Sequence, residues 1–153
     1  MDQSIASLDG REAGHAEAAI TVVLADDHQV VRDGIKLILD GELDIDVIAE
    51  AGDVAAATRL VVDHSPSVLL LDLNMPRGSS LAVIPRLAEI APETRTIVVT
   101  MRAEADLAEQ AIAAGARGYV LKRAAGGELL EAIRTVLAGG VFVSRALRGA
   151  PAD

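Results

Sequence analysis

The chain predicts an open α/β fold: one parallel sheet, doubly wound, with helices on both faces. Three observations carry this. Short β-branched runs alternate with longer segments of helical period from Ile20 onward, the pattern of repeated βα units. One run, Val68-Leu69-Leu70-Leu71, is apolar at consecutive positions, as a strand covered on both faces requires. The 153 residues suffice for one domain with a core, but not for an eight-stranded barrel.

The elements follow in order. Residues 21–25 read as the first strand. Val31, Ile35, Ile38 and Leu39 then recur at helical spacing as the inner face of a first helix. Gly34 inside that helix costs about 1 kcal/mol relative to Ala, which the apolar pattern outweighs. Residues 45–49 are the second strand. Asp53 suits the N-cap of a helix reaching about His64, which Pro66 stops. Residues 67–71 form the third strand, and the Pro and Gly of residues 74–79 mark a loop. Leu81, Ile84, Leu87 and Ile90 are the inner face of a third helix, which Pro85 should bend or whose start it should displace. Residues 95–99 are strand four, and residues 103–114 an Ala-rich fourth helix ending at Gly115. Residues 119–121 are strand five. A fifth helix over 127–138 turns Leu130, Ile133 and Leu137 inward, with Gly126-Gly127 as its entry turn and Gly139-Gly140 as its stop.

Composition narrows the function. A net charge of −9 and only two aromatic residues, Tyr119 and Phe142, disfavour unaided binding of nucleic acid or an anionic membrane. No apolar run approaches a bilayer span of about 20 residues. Residues 1–19 lack apolar periodicity and the apolar stretch of a secretory signal, and read as a flexible arm. Without cysteine there is no thiol chemistry and no Cys-based zinc site. A cytoplasmic location is the expectation.

Four apolar runs end in different polar groups: Asp26-Asp27, Asp72, Thr100 and Lys122. In an open parallel sheet, ligands bind beyond the carboxyl ends of the strands, so these groups should meet there. Two unit charges 4 Å apart repel by about 4 kcal/mol at an effective dielectric near 20, so three carboxylates in one notch call for a cation or a raised pKa. Hard oxygen ligands suit Mg2+, which often shares a phosphate oxygen. Asp72 could serve as a nucleophile through an acyl phosphate, with Lys122 and Thr100 stabilising phosphoryl oxygens. Taken singly, these residues have plainer readings: an Asp pair caps a helix, a Lys after a strand is solvated, a strand Thr packs. The conjunction carries the inference. His15, His28 and His64 show no metal-ligand spacing; His28 reads as part of the first helix's entry and the others as surface residues.

The segments Val-Leu-Ala-Asp26-Asp27-His, Leu-Leu-Leu-Asp72-Leu-Asn-Met-Pro76, Val-Val-Thr100-Met and Gly-Tyr119-Val-Leu-Lys122 resemble a response-regulator receiver domain of two-component signalling over residues 20–140. Residues 26–35 and 128–136 further resemble the NarL/FixJ subfamily. The resemblance implies a flavodoxin-like (CheY-like) α/β/α sandwich of five strands, order 2-1-3-4-5, and five helices. It makes Asp72 the phosphoacceptor. Asp27, Asp72 and the Asn74 carbonyl would ligate Mg2+, with Asp26 acting through water. Thr100 and Lys122 would contact the phosphoryl group, and Tyr119 would be the ring that turns inward on activation. A histidine kinase is the implied partner and a phosphorylation-dependent homodimer the implied output.

Members of that subfamily usually carry a C-terminal helix-turn-helix domain. The thirteen residues after Gly140 are too few for one, so DNA binding cannot be assigned to this chain. The expectation is the receiver part of a transcriptional regulator, with residues 141–153 as the start of a linker. The alternative is a standalone receiver in a phosphorelay or in protein–protein interaction. An Mg2+-dependent phosphatase with an Asp nucleophile is the enzyme rival; it needs an acid two residues past the nucleophile, where this chain has Asn74.

Overall fold

The computed structural model describes residues 20–148. The arm expected over residues 1–19, like the last five residues, lies outside them. Six strands form one parallel sheet: β1 (Ile20–Ala25), β2 (Ile45–Ala51), β3 (Val68–Leu71), β4 (Arg95–Thr100), β5 (Gly118–Leu121) and β6 (Phe142–Val143), in the order β2-β1-β3-β4-β5-β6. Between them run α1 (Gln29–Asp40), α2 (Val54–His64), α3 (Ser80–Ile90), α4 (Ala105–Ala114) and α5 (Ala125–Leu137). The first five strands take the expected order.

Strand alternation divides the core into two slabs. One face of the sheet, with Val23, Leu69, Leu71, Val98, Tyr119 and Leu121, packs against α2, α3 and α4 through Val54, Val61, Ile84, Leu87, Ala108 and Ala111. The other, with Val22, Leu24, Leu70, Ile97, Val99 and Val120, packs against α1 and α5 through Ile35, Leu39, Leu129, Ala132, Ile133 and Val136. All four residues of β3 are fully buried, as its unbroken apolar run predicted.

Helix ends follow local chemistry. Asp53 caps α2, its Oδ1 accepting the Ala56 N–H at 2.7 Å, and the helix closes on Ser65 in the left-handed region at φ 45°. Ser79 caps α3 through the Ala82 N–H at 3.1 Å. The helix runs through Pro85 without a break in assignment, so the displaced start expected there does not occur. Pro85 is exposed, and its missing N–H leaves one helical hydrogen bond unmade.

Several expectations need correcting. Ile90 is 45% exposed and leaves the inner face of α3 to Ile84 and Leu87. Helix α5 begins at Ala125, after a 3₁₀ turn over Lys122–Ala124, so Gly126 and Gly127 sit in its first turn rather than before it. Its fully buried stripe is Leu129, Ala132, Ile133 and Val136, while Leu130 and Leu137 lie at the slab's margin. Strand β6 is additional to the expected sheet: Phe142, 2% exposed, completes the α1/α5 slab, and the Phe142 N–H donates to the Arg117 carbonyl at 3.0 Å. This segment lies where a linker was expected to begin.

Candidate functional site

The carboxyl ends of β1, β3, β4 and β5 form one rim, and ladder register places the polar groups there. Ala25 pairs with Leu71, so Asp26 and Asp72 leave adjacent central strands side by side; the Asp72 N–H donates to the Ala25 carbonyl at 3.0 Å. Thr100 pairs with Leu121, which sets the hydroxyl beside the strand end that carries Lys122.

Lys122 joins the two halves. Its ammonium lies 2.8 Å from Asp26 Oδ2 and 3.3 Å from Asp72 Oδ2. Both carboxylates are buried, Asp26 to 2% and Asp72 to 3% exposure. Asp26 Oδ1 accepts the His28 N–H at 2.9 Å, so both oxygens of Asp26 are engaged by donors.

The electrostatics show a deficit of positive charge. Burial pushes the Asp72 carboxyl above its usual range; the Lys122 charge pulls it down, the Asp26 charge pushes it up, and the Asn74 backbone N–H and the Lys122 hydrogen bond pull it down, with burial winning. Burial alone would lower the Lys122 ammonium, but its hydrogen bond to Asp26 and the Asp72 charge outweigh that and hold it above the ordinary lysine value. One ammonium serves two buried carboxylates, so negative charge remains uncompensated. A pocket of hard oxygen donors with excess negative charge fits a divalent cation of the Mg2+ type.

The remaining predicted residues stand around this pair. Thr100 is fully buried and its Oγ1 accepts the Arg102 N–H at 3.2 Å. The Tyr119 ring is also fully buried; its hydroxyl donates to the Arg102 carbonyl at 2.7 Å, and burial pushes the phenol up to about 12. Asn74 is exposed on the β3–α3 loop. Asp27 keeps a third of its side chain in solvent and faces His28 Nδ1 at 3.0 Å, with Asp26 Oδ1 3.5 Å from the same nitrogen. His28, read from sequence only as part of the helix entry, thus belongs to the acidic cluster with Asp26 and Asp27. The signal was its adjacency to the Asp pair.

Sequence reasoning missed two supports. Arg32, one turn into α1, donates to the Asp26 carbonyl from Nη1 and to Glu50 Oε1 from Nε at 2.9 Å, tying the β1–α1 turn to β2. Glu128 and Ser144 form a buried pair behind β5. A Glu in a helix's first turn is ordinarily solvated or capping, so nothing in sequence marked it.

Comparison with known proteins shows the family. The family model for the response regulator receiver domain matches residues 22–134. The chain belongs to that family. It is 40% identical over 127 residues to the oxygen regulatory protein NreC of Staphylococcus haemolyticus, covering 82% of this chain and 58% of that protein. It therefore spans a little over half the length of the curated relatives it matches. Among solved structures, a LuxR-family two-component response regulator from Aurantimonas sp. aligns with TM-score 0.79 at 30% identity, over 84% of this chain and 91% of that one. The receiver domain of a response regulator described as NarL, from Mycobacterium tuberculosis, aligns with TM-score 0.74 at 32% identity, over 78% and 97%. This is a receiver domain of the NarL/NreC type, a signalling domain. Among the described residues no helix is long and apolar enough to cross a membrane.

Proposed function

We propose that the chain is a phosphoacceptor, modified on Asp72 by a histidine kinase and switching the output of a two-component transcriptional regulator. The observation that carries this is the pair of buried carboxylates, Asp26 and Asp72, bridged by the single ammonium of Lys122.

Asp72, immediately beyond the fully buried β3, is the nucleophile. A carboxylate oxygen forms a bond to the phosphorus of a phosphohistidine while the phosphorus–nitrogen bond breaks. The bonding pair leaves with the imidazole nitrogen, which takes a proton from solvent. Asp27, Asp72 and the Asn74 carbonyl would hold Mg2+, with Asp26 acting through water, and the ion would supply charge neutralisation for the phosphoryl oxygens. Lys122 shifts from its carboxylate partner to an incoming oxygen, and Thr100 donates its hydroxyl to another. Desolvation around Asp72 strengthens each of these interactions.

The acyl phosphate carries about −1.5 to −2 charges in place of the single charge of the carboxylate. Charge-assisted hydrogen bonds from Lys122 and Thr100 are worth about 1.5–3 kcal/mol each. Moving a two-state equilibrium from 1:99 to 99:1 takes about 5.5 kcal/mol, so two such bonds supply most of a switch. Thr100 and Tyr119 both hold Arg102 by its backbone; drawing Thr100 toward the phosphoryl group therefore frees the β4–α4 loop. The output is a symmetric dimer of receivers, with catalysis limited to the domain's own phosphorylation and dephosphorylation.

Incubation with acetyl phosphate and Mg2+ tests the reading. Wild type should gain an alkali-labile phosphoryl group and Asp72→Asn should not. Equal labelling rates for the two proteins contradict it.

A further inference from the structure

The C-terminal segment reaches the acidic pocket through one backbone group. Strand β6 ends at Val143, so the ladder on that side of β5 ends before Leu121. The Leu121 N–H is taken instead by Ser144 Oγ at 2.8 Å. The same hydroxyl donates to Glu128 Oε1 at 2.6 Å, and the Ser144 N–H donates to the Tyr119 carbonyl at 2.8 Å. Glu128 Oε2 accepts the Arg145 N–H at 3.1 Å and its guanidinium at 3.4 Å.

Ser144 is fully buried and Glu128 is 8% exposed. A carboxylate is costly to bury unless its oxygens are satisfied, and here both are. The hydroxyl of Ser144 both accepts and donates, so its bonding capacity is used on each side. The result is a closed ring: Leu121, Lys122, the 3₁₀ turn, the first turn of α5 with Glu128, then Ser144 back to Leu121. Lys122 lies inside that ring, gripped one residue before and six residues after.

We propose that Ser144 and Glu128 are positioning residues for Lys122, fixing the end of β5 so that one ammonium meets both Asp26 and Asp72. Resting on the phosphoacceptor reading above, this also makes the 142–148 segment a mechanical partner of the pocket: whatever draws Lys122 away pulls on the ring, and whatever pulls the segment loosens Lys122. A misplacement near 1 Å can cost about a hundredfold in rate, so a loosened backbone acts strongly on this step.

The test is a double-mutant cycle on the full 153-residue chain, with acetyl phosphate and Mg2+. Ser144→Ala should slow labelling about tenfold, and Ser144→Thr, which keeps the hydroxyl, should restore most of the rate. With Lys122 already replaced by Ala, the Ser144→Ala change should have no further effect. Equal slowing in both backgrounds, or native rates in a folded Ser144→Ala protein, overturns the proposal. If Ser144→Ala does not fold, Glu128→Gln carries the same cycle with the same two outcomes. Absence of labelling in wild type refutes the phosphoacceptor reading instead.

Discussion

Asp72 is held in a state that costs stability, as the proposed phosphoacceptor role would require. Lys122 divides one charge between two buried carboxylates, and burial leaves the Asp72 carboxyl above its usual range. A folded-state pKa raised above the unfolded value favours folding at low pH; that contribution is lost as pH rises from the ordinary Asp value of 3.8 through the raised one. Asp72→Asn removes the penalty. The variant should therefore melt higher than wild type at neutral pH, by roughly 1 kcal/mol, with the gap narrowing below pH 4. Thermal melts of both proteins across that range check this; a less stable Asp72→Asn protein at pH 7 contradicts it. Added Mg2+ should raise the melting temperature of wild type more than that of the variant, since only wild type offers the Asp72 carboxylate as a ligand.

Elements were legible in sequence wherever local chemistry decided them. The Asp53 cap, the stop at Pro66 and the buried β3 all follow from residue type and spacing, and so do the strand ends that gather Asp26, Asp72, Thr100 and Lys122. What escaped depends on long-range packing. Helix α4 was legible only as an Ala-rich segment; its buried face is Ala108 and Ala111, since alanine lets the helix sit close on the sheet. Phe142 follows two glycines and sits in a run too short to announce a strand; only the exposed flank of β5 gives it a place. Glu128 and Ser144 lie 16 residues apart, beyond any local pattern. The β6 segment is nonetheless structural: Phe142 is buried, and Arg148 covers its ring at 4.9 Å while its Nε donates to the Val143 carbonyl at 2.6 Å. Phe142→Ala should cost about 3–5 kcal/mol in urea unfolding. A loss under 1 kcal/mol would show that the segment contributes little to the core.

The described residues form a two-slab core with the acidic pocket at one rim, and several large apolar side chains stay exposed on it. Val30 and Leu37 on α1 are 83% and 74% exposed, and Met101, next to Thr100, is 75% exposed. Scattered apolar surface is ordinary, but Met101 lies next to Arg102, whose backbone Thr100 and Tyr119 hold, so the proposed movement of Thr100 would alter its presentation. Beryllofluoride with Mg2+ should raise the sedimentation coefficient of wild type toward that of a dimer and leave Asp72→Asn monomeric; identical sedimentation with and without it contradicts phosphorylation-dependent assembly. The most direct test of the central claim is peptide mapping of the acyl phosphate after brief labelling with acetyl phosphate and Mg2+. One modified carboxylate, Asp72, is expected, with labelling slowed by Lys122→Ala. Phosphoryl recovered on Asp26 or Asp27, or labelling indifferent to Lys122, would contradict it.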